Sequence, residues 1–381
     1  MKILITTEFY LPFRCGVTLA VLNEKRALES NGHEVRILTI TSEKTSYYHN
    51  SVYYIRSNFP QLYKDSYATL AFNDPLVKEI LEWKPDIIHS QCEFFTMVFA
   101  KRISKKLHIP IVHTCHTDFD SYRIHFTNNE HIWNWATNTF IPRLIKDVAY
   151  VICPTSKIYN LLTRYRIKNE MEIIPVGLDL KMLGQECPEV ERIKLREKYG
   201  FTESQIVFVS ICRLSEEKNV EESIAHFVSI NRQRPSTRML IVGDGTEKAK
   251  LESIVEALDI CEYVKFAGNI PMDTIWKYYD IGDIFISSST SEIQGLTYIE
   301  ALASGHPIVC KQDEALAESL IENYNGFSFS TDAEFLQKTL PLIDDVEYRK
   351  RIGKNARESV DKYSLDNFAN NLLKVFEHVL N

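Results

Sequence analysis

The sequence lacks any apolar run long enough to span a bilayer, because its longest apolar stretches have the length of single strands. It also lacks a basic excess: 44 basic and 51 acidic residues give a net charge of −7, which disfavours nucleic acid as the main partner. The eight cysteines show no Cys-x-x-Cys spacing, which argues against a disulfide scaffold or a zinc site. The first apolar run reaches Glu8 too soon for a secretory leader, so we expect a cytoplasmic protein.

Several enzyme motifs are absent as well. The sequence has neither a Gly-x-x-x-x-Gly-Lys-Ser/Thr loop nor a Gly-x-Ser-x-Gly elbow, so kinase-like phosphoryl transfer and serine hydrolysis lack their usual parts. Gly243-Asp244-Gly245 does not continue into the dinucleotide fingerprint, because position 248 is lysine. Taken alone, this segment is best interpreted as a plain turn.

Metal ligands are sparse. His113 and His116 are three residues apart but have no evident third ligand nearby in the sequence. Asp118 and Asp120 form an Asp-x-Asp, which is a weak signal for a divalent ion on a nucleotide. We therefore expect no metal site and no cofactor.

What the sequence does contain is an alternation of short β-branched runs with helical patterns, typical of parallel sheets covered on both faces. The strands predicted in the first half are Ile3–Thr7, Glu34–Thr41, Val52–Arg56, Asp86–Ser90, Ile111–Thr114, Tyr150–Pro154 and Glu172–Val176. The pattern restarts after Leu178, and the strands predicted there are Ile206–Ile211, Met239–Gly243, Val264–Gly268, Ile284–Ser287, Pro307–Cys310 and Gly326–Ser330. We predict two doubly wound α/β domains, residues 1–177 and 178–361. A helix in residues 362–381 could pack on either domain and is assigned to the first.

Ligands of such domains bind in the crevice outside the carboxyl ends of the strands, so the residues just after strands are the candidates. The densest group follows the predicted strand Ile284–Ser287. Gly295 opens a helix whose first N–H groups attract phosphate, with Glu292 in the loop before it and Glu300 about two turns in. These two carboxylates suit sugar hydroxyls. Alternatively, Glu292 caps the helix and Glu300 makes a surface ion pair.

Two cations follow another predicted strand. Arg213 and Lys218 come after Ile206–Ile211, and a turn can bring both to one crevice. A guanidinium fork and a compact ammonium suit a diphosphate leaving group. The alternative is solvated charge around a turn, since Glu216 and Glu217 lie between them.

Together these motifs resemble the retaining glycosyltransferases of GT-B architecture, family four, over nearly the whole chain. A glycine loop at Gly16, a strand-end histidine at His116, the Arg-x4-Lys, the Gly-x-Gly and the Glu-x7-Glu occur in that family's order. Residues 291–303, and the pair His116-Thr117 followed by Phe119, look like the bacterial diacylglycerol glucosyltransferases. The resemblance implies two Rossmann-like domains facing across a cleft, the first binding the acceptor and the second the nucleotide sugar.

The resemblance also implies a role for each motif residue. Arg213 and Lys218 would bind the donor diphosphate and stabilise the departing UDP. Glu292 would hold hydroxyls of the transferred sugar, Glu300 would accept from the ribose hydroxyls, and His116 would contact the sugar near its 6-hydroxyl. The implied catalytic set is His116, Glu292, Arg213 and Lys218. The implied donor-binding set is Gly16, Arg213, Lys218, Gly243, Asn269, Ile270, Glu292, Gly295, Leu296, Thr297 and Glu300, with Asn269 and Ile270 beside the uracil.

The implied reaction moves a hexose from a UDP-sugar to an acceptor hydroxyl, with retention of configuration and without a metal. UDP-glucose is the expected donor. Diacylglycerol or another lipid is the expected acceptor, with the protein at the inner face of the cell membrane. Two features of the first half support this: aromatic residues interleaved with cations (Tyr47, Tyr48, Tyr53, Tyr54, Arg56, Phe59, Tyr63, Lys64, Tyr67), and the cations Lys101, Arg102, Lys105 and Lys106 on a predicted helix.

Charge divides unevenly along the chain. Residues 1–178 carry 21 basic and 17 acidic side chains, whereas residues 179–381 carry 23 and 34. This indicates different partners for the two halves, or chance drift in surface charge. The alternatives to a lipid acceptor are a soluble or undecaprenyl-linked glycan, and, in another class, a non-catalytic GT-B accessory or carbohydrate-binding subunit.

Overall fold

The computed structural model describes residues 1–13, 15–59, 67–122 and 129–381. The chain forms two compact units. The N-terminal unit comprises Met1–Leu178 together with Tyr363–Asn381, and the C-terminal unit comprises Asp179–Lys362.

The N-terminal unit is built on an eight-stranded sheet of order β3-β4-β2-β1-β5-β6-β7-β8. Neighbouring strands are parallel except β3 and β4, which are antiparallel. Strand order reverses between β1 and β5, which makes this edge a topological switch point. The strands are β1 (Lys2–Thr6), β2 (Glu34–Thr41), β3 (Tyr47–His49), β4 (Val52–Arg56), β5 (Ile87–Ser90), β6 (Ile111–Thr114), β7 (Tyr150–Cys153) and β8 (Glu170–Ile173).

Helices connect these strands and cover the sheet. They are α1 (Gly16–Ser30), α2 (Pro75–Trp83), α3 (Phe95–Leu107), α4 (Glu130–Leu144), α5 (Ser156–Arg164) and the C-terminal α14 (Leu365–Leu380), with a 3-10 turn at Phe119–Tyr122. Each turn of α14 places apolar side chains on one face, and Phe368, Leu372 and Phe376 are buried against the core formed by β1, β2 and α1. Ser364 caps this helix by accepting from the backbone N–H of Asn367.

The C-terminal unit contains a six-stranded, wholly parallel sheet of order β11-β10-β9-β12-β13-β14. The strands are β9 (Ile206–Ile211), β10 (Thr237–Val242), β11 (Val264–Gly268), β12 (Ile284–Ser287), β13 (Ile308–Lys311) and β14 (Gly326–Phe329). Here the order reverses between β9 and β12, so the loops after these two strands emerge side by side.

The helices of this unit are α6 (Leu180–Leu183), α7 (Glu189–Lys198), α8 (Val220–Asn231), α9 (Lys248–Ala257), α10 (Ile275–Asp280), α11 (Leu296–Ala303), α12 (Asp332–Asp344) and α13 (Val346–Glu358). Further 3-10 turns span Glu216–Lys218, Glu314–Leu316 and Asp361–Tyr363. The central strands are buried throughout, as β-branched runs between two helical layers require.

The predicted fold class is confirmed: both units are Rossmann-like α/β structures with parallel sheets. Six predicted strands (β2, β4, β6, β9, β11 and β12) have the observed bounds, and the others differ by one to three residues, the largest shift being β8, predicted as Glu172–Val176. Sequence patterning missed β3, because its three residues are exposed and are held only by antiparallel pairing with β4. No helix in the described parts of the chain is long and apolar enough to cross a membrane.

Candidate functional site

The segments that follow β9 and β12, including the start of α11, carry most of the predicted donor residues, and the structure joins two of them directly. The Lys218 ammonium donates to Oε1 of Glu292 at 2.6 Å, although 74 residues separate them in sequence. Both side chains are largely withdrawn from solvent, at 18% and 14% exposure. A partly buried ion pair of this kind holds the two loops together and places a cation and a carboxylate at one point of the sheet edge.

Arg213 pairs with a carboxylate of its own loop, whereas the sequence predicts that it faces a donor diphosphate together with Lys218. Its guanidinium donates to Oε1 of Glu217 at 2.6 Å and to the hydroxyl of Ser215 at 3.3 Å. The hydrogen bonds from Ser215 and Arg213 keep the pKa of Glu217 below its ordinary value despite partial burial, which acts in the opposite direction. Half of the Arg213 side chain is exposed, so this surface pair is weak and open to exchange for another anion.

Gly243 and Gly245 pack against the loop that carries Arg213. Gly243 has a φ of +137°, and a Cβ there would overlap the carbonyl oxygen of Cys212. The N–H of Leu214 donates to the carbonyl of Asp244 at 2.9 Å, and the N–H of Glu247 donates to the carbonyl of Leu214 at 3.0 Å. The plain-turn interpretation therefore understates the segment, because its close approach fixes the backbone on either side of Arg213.

Gly295 caps α11 in the left-handed conformation, with a φ of +64°. A Cβ there would overlap the ring of Tyr298, so both the dihedral angle and the space require glycine. The helix begins directly after the Glu292 loop, and its first turn includes the amides of Leu296 and Thr297. A helix start of this kind presents N–H groups and a partial positive charge to an anion.

Glu300 lies five residues past this cap, about one and a half helical turns, rather than two. The surface-pair interpretation of Glu300 is wrong, because the residue is only 8% exposed. Its Oε2 accepts from the hydroxyl of Tyr279 at 2.6 Å, and Oε1 has no hydrogen-bond partner among the described residues. Burial raises the pKa of Glu300 to about 7, partly offset by the Tyr279 hydrogen bond.

Asn269 and Ile270 follow β11 at the other end of the same sheet edge, two strands away from β9. Asn269 is exposed and Ile270 is partly buried. In the N-terminal unit, Gly16 is exposed at the first position of α1. These positions agree with the strand-end and helix-start locations predicted from the sequence, while their roles stay predictions.

His116 follows β6 and is partly buried. Its Nε2 lies 2.7 Å from Oε1 of Gln91, which comes from the neighbouring strand end after β5. Burial lowers the pKa of His116 to about 3, so the ring is neutral at pH 7. Sequence reasoning missed Gln91, since nothing in the spacing indicates that residues 91 and 116 share a sheet edge.

Glu93 also escaped the sequence prediction, and it changes the setting of His113. Oε1 of Glu93 lies 3.5 Å from Nε2 of His113, while Nδ1 of His113 donates to the carbonyl of Ser90 at 3.1 Å. Burial raises the pKa of Glu93, but the contacts with His113 and Thr117 outweigh it and leave the pKa below its ordinary value. With Cys115, these residues bring three potential metal-ligand atoms within 4.8 Å of one another. A buried His–Glu pair accounts for the arrangement equally well, so the prediction of no metal stays a prediction.

The Asp-x-Asp serves packing. Asp120 accepts from the indole N–H of Trp133 at 2.9 Å, the hydroxyl of Tyr165 at 2.6 Å and the guanidinium of Arg164 at 3.1 Å. Asp118 lies 3.7 Å from the ammonium of Lys157. Because the oxygens of Asp120 are directed at three protein donors, this pair is better explained by tertiary structure than by a divalent ion.

The predicted aromatic surface is only partly present. Tyr47 and Tyr48 are exposed, but Tyr53 is buried and its hydroxyl accepts from Arg36 at 2.7 Å. Tyr63 and Lys64 lie outside the described residues. Lys101 is tied to Asp147 at 3.2 Å, and the guanidinium of Arg102 lies over the ring of Phe72.

A more prominent apolar surface lies on α4. Ile132, Trp135 and Phe140 project into solvent, and Trp135 is 70% exposed. Arg143 and Lys146 follow at the end of the same segment. Sequence reasoning missed this surface, although the segment is apolar on two faces: Trp133 and Ile141 turn inward while Trp135 and Phe140 do not.

Two family models match the chain. The one described as Glycosyltransferase Family 4 matches residues 15–182, and the one described as Glycosyl transferases group 1 matches residues 191–359. Among curated proteins, the chain is 33% identical to an alpha-monoglucosyldiacylglycerol synthase of Streptococcus pneumoniae, over 81% of this chain and 70% of that protein. It is 29% identical to the protein of the same name from Acholeplasma laidlawii, over 97% of this chain and 95% of that protein.

Solved structures share the fold at lower identity. The Anabaena protein HepE in complex with UDP and glucose superposes with a TM-score of 0.78 and 18% identity, covering 99% of this chain and all of that one. Sucrose-phosphate synthase from Thermosynechococcus elongatus gives the same TM-score and identity over 99% of this chain and 98% of that one.

Proposed function

The chain belongs to the glycosyltransferases, with a family 4 segment followed by a group 1 segment, and from this premise we propose that it transfers glucose from UDP-glucose to a hydroxyl of diacylglycerol or a similar lipid, with retention of configuration. The observation that carries the donor half of the proposal is the Lys218–Glu292 pair beside the start of α11. The two relatives named alpha-monoglucosyldiacylglycerol synthase support the lipid half.

The donor diphosphate is proposed to bind Lys218, Arg213 and the first amides of α11. Loss of UDP builds negative charge on the β-phosphate, and fixed cations together with helix N–H groups stabilise that charge as it develops. Glu292 already contacts Lys218, and its carboxylate is proposed to accept from hydroxyls of the transferred sugar. Arg213 would exchange its exposed Glu217 partner for phosphate, since a bidentate phosphate contact is the stronger interaction.

Glu300 is proposed to receive the ribose hydroxyls on Oε1, while Tyr279 holds Oε2. Asn269 and Ile270 would flank the uracil. No side chain is assigned as a nucleophile. The acceptor hydroxyl would attack from the face that the leaving group vacates, with the departing phosphate taking its proton, so that configuration is retained without a covalent glycosyl-enzyme. We expect transfer to continue in the presence of a chelator.

The N-terminal unit is proposed to contact the membrane through the exposed residues of α4. Ile132, Trp135 and Phe140 offer apolar surface, and a Trp side chain suits the interface between headgroups and acyl chains. Arg143 and Lys146 follow shortly after them in the sequence and are proposed to pair with anionic lipids. The enzyme could then glucosylate a lipid acceptor while the acyl chains of that lipid stay in the bilayer. This surface replaces much of the Tyr47–Tyr67 stretch as the leading candidate for membrane contact.

The donor half is tested by turnover with UDP-glucose, UDP-galactose and GDP-glucose, using diacylglycerol in vesicles as the acceptor. Lys218→Met is expected to lower kcat/KM at least 100-fold, because it removes a cation from the developing charge. Lys350→Met, which removes a cation from an exposed surface pair with Glu347, is the matched control and leaves turnover unchanged. Equal loss in both variants, or no turnover of any UDP-sugar by the parent protein with either a lipid or a glycan acceptor, contradicts the donor half of the proposal.

The lipid half is tested by identifying the product of the same reaction. A glucolipid product whose anomeric proton shows the α configuration supports both the acceptor and retention. Transfer to a soluble or polyprenyl-linked glycan instead, with none to lipid, would identify the alternative acceptor and leave the donor assignment intact.

A further inference from the structure

A buried chain of polar contacts runs from α1 to His116. Glu24, on α1, is 1% exposed, and its Oε2 accepts from the amide nitrogen of Gln91 at 2.7 Å. Its Oε1 lies 2.5 Å from Nδ1 of His89. The amide oxygen of Gln91, which is also buried, lies 2.7 Å from Nε2 of His116. A carboxylate at this depth is retained only with such partners, so the arrangement is specific.

The chemistry of these groups gives the chain a direction. Each oxygen of Glu24 faces a nitrogen, so the carboxylate accepts from both. The amide of Gln91 must therefore turn its nitrogen towards Glu24 and its oxygen towards His116. A carbonyl oxygen accepts only, so Nε2 of His116 must carry the proton. In the neutral ring the remaining nitrogen, Nδ1, then bears a lone pair, and it has no hydrogen-bond partner among the described residues.

We propose that Glu24 is a positioning residue that acts through Gln91 to hold His116 in its Nε2–H tautomer, so that Nδ1 accepts a hydrogen bond from a hydroxyl of the bound sugar. The contact with the sugar rests on the proposed function, whereas the tautomer does not. A ring in the opposite tautomer would present a donor at Nδ1 and would require the sugar hydroxyl to turn its proton elsewhere.

The residues behind Glu24 are closely packed. Nε2 of His89 lies 2.8 Å from the hydroxyl of Thr114, and the His89 ring meets the ring of Phe376 edge-on, with centroids 5.4 Å apart. Phe376 belongs to α14, so the C-terminal helix closes the network from outside. Packing on both sides favours this arrangement of Glu24 and Gln91, as a second layer of contacts does for a histidine whose tautomer is fixed.

The first test observes the tautomer in the protein without substrate. In protein labelled with ¹⁵N-histidine, the His116 signals are assigned by their loss in His116→Asn, and the parent protein is expected to show the Nε2–H form. Glu24→Gln gives Gln91 a partner with its own donors, which allows the amide to invert and the Nδ1–H form to become populated. Glu29→Gln, on the same helix but at its outer surface, is the matched control and leaves the signals unchanged.

The second test measures coupling during turnover. Glu24→Gln is expected to lower kcat/KM for the sugar nucleotide about tenfold, the value of one lost hydrogen bond. In a His116→Asn background the same substitution is expected to cost nothing further, since its effect passes through His116. Equal losses in both backgrounds, or an Nδ1–H ring in the parent protein, would overturn the proposal.

Gln91→Leu provides a second route if Glu24→Gln fails to fold. It removes the acceptor at Nε2 without adding a group to the network, and the same mixed tautomer and the same absence of effect in His116→Asn are expected. If the parent protein turns over no sugar nucleotide, the proposed function fails, but the ¹⁵N measurement still decides the tautomer. The two failures are thus distinguishable.

Discussion

Replacing Glu300 by glutamine should stabilise the protein while weakening donor binding. Glu300 is 8% exposed, and burial raises its pKa from 4.5 to about 7. Between these values the folded protein holds a proton that the unfolded chain releases, so the contribution of Glu300 to stability is full below pH 4.5 and is lost as pH rises through 7. At 1.36 kcal/mol for each pKa unit, the ionised carboxylate costs about 3 kcal/mol above pH 7.

The assay is urea unfolding of the parent protein and Glu300→Gln at pH 4.5 and at pH 8, without nucleotide. The variant should gain up to about 3 kcal/mol over the parent between the two pH values, because glutamine keeps an acceptor for Tyr279 and carries no charge. Glu262→Gln removes an exposed carboxylate of the same unit and is the control for general charge effects.

Adding nucleotide should favour the parent protein over Glu300→Gln. A saturating nucleotide at 100 times its dissociation constant stabilises the parent protein by about 2.7 kcal/mol. Glu300→Gln should show much less stabilisation by UDP at the same concentration, since its neutral amide is a weaker acceptor for ribose hydroxyls. The reasoning is refuted if the stability difference is the same at both pH values, or if UDP stabilises both proteins equally.

Three further predictions concern packing and the membrane. Gly243→Ala should destabilise the protein by about 3 kcal/mol or more and reduce UDP binding, because its new Cβ meets the Cys212 carbonyl at a positive φ. Gly32→Ala is the control: its φ is also positive, but the space around the Cβ is open, so it should cost only about 1 kcal/mol in the same urea experiment. Trp135→Ser should weaken co-sedimentation with anionic vesicles about tenfold or more, as loss of roughly 2 kcal/mol of apolar burial implies, and leave UDP binding unchanged; vesicle binding that survives in the variant argues against the α4 surface. Raising the salt concentration should also weaken vesicle binding, and salt-insensitive sedimentation would exclude the contribution of Arg143 and Lys146.

Much of the fold could be predicted because its strands are buried on both faces. Runs such as Ile206–Ile211 and Ile284–Ser287 are largely apolar and buried, and both agree with the observed strands. The exposed β3 has none of these signals. Its formation depends on Tyr47 stacking on Tyr54 across the antiparallel pair, a tertiary contact that no local pattern reports.

The candidate site could be predicted only to the level of loops. Parallel strands bring their carboxyl ends to one edge, so motif residues that follow strands are expected there. Which side chains then meet depends on strand order, which the sequence does not specify. The contacts of Lys218 with Glu292 and of Gln91 with His116 each join two different strand ends. The competing pair of Arg213 with Glu217 is local in sequence, yet the spacing alone does not distinguish an ion pair from solvated charge around a turn.

The C-terminal helix α14 makes the N-terminal unit depend on the last residues of the chain. The N–H of Leu178 donates to the carbonyl of Tyr363 at 2.8 Å, so the chain leaves the N-terminal unit and re-enters it at the same point. During synthesis, residues 179–362 can finish folding while the N-terminal core still lacks Phe368, Leu372 and Phe376. A chain that ends before α14 would thus contain a complete C-terminal unit and an N-terminal unit whose apolar core is still open, so the segment made first would be the last to become stable.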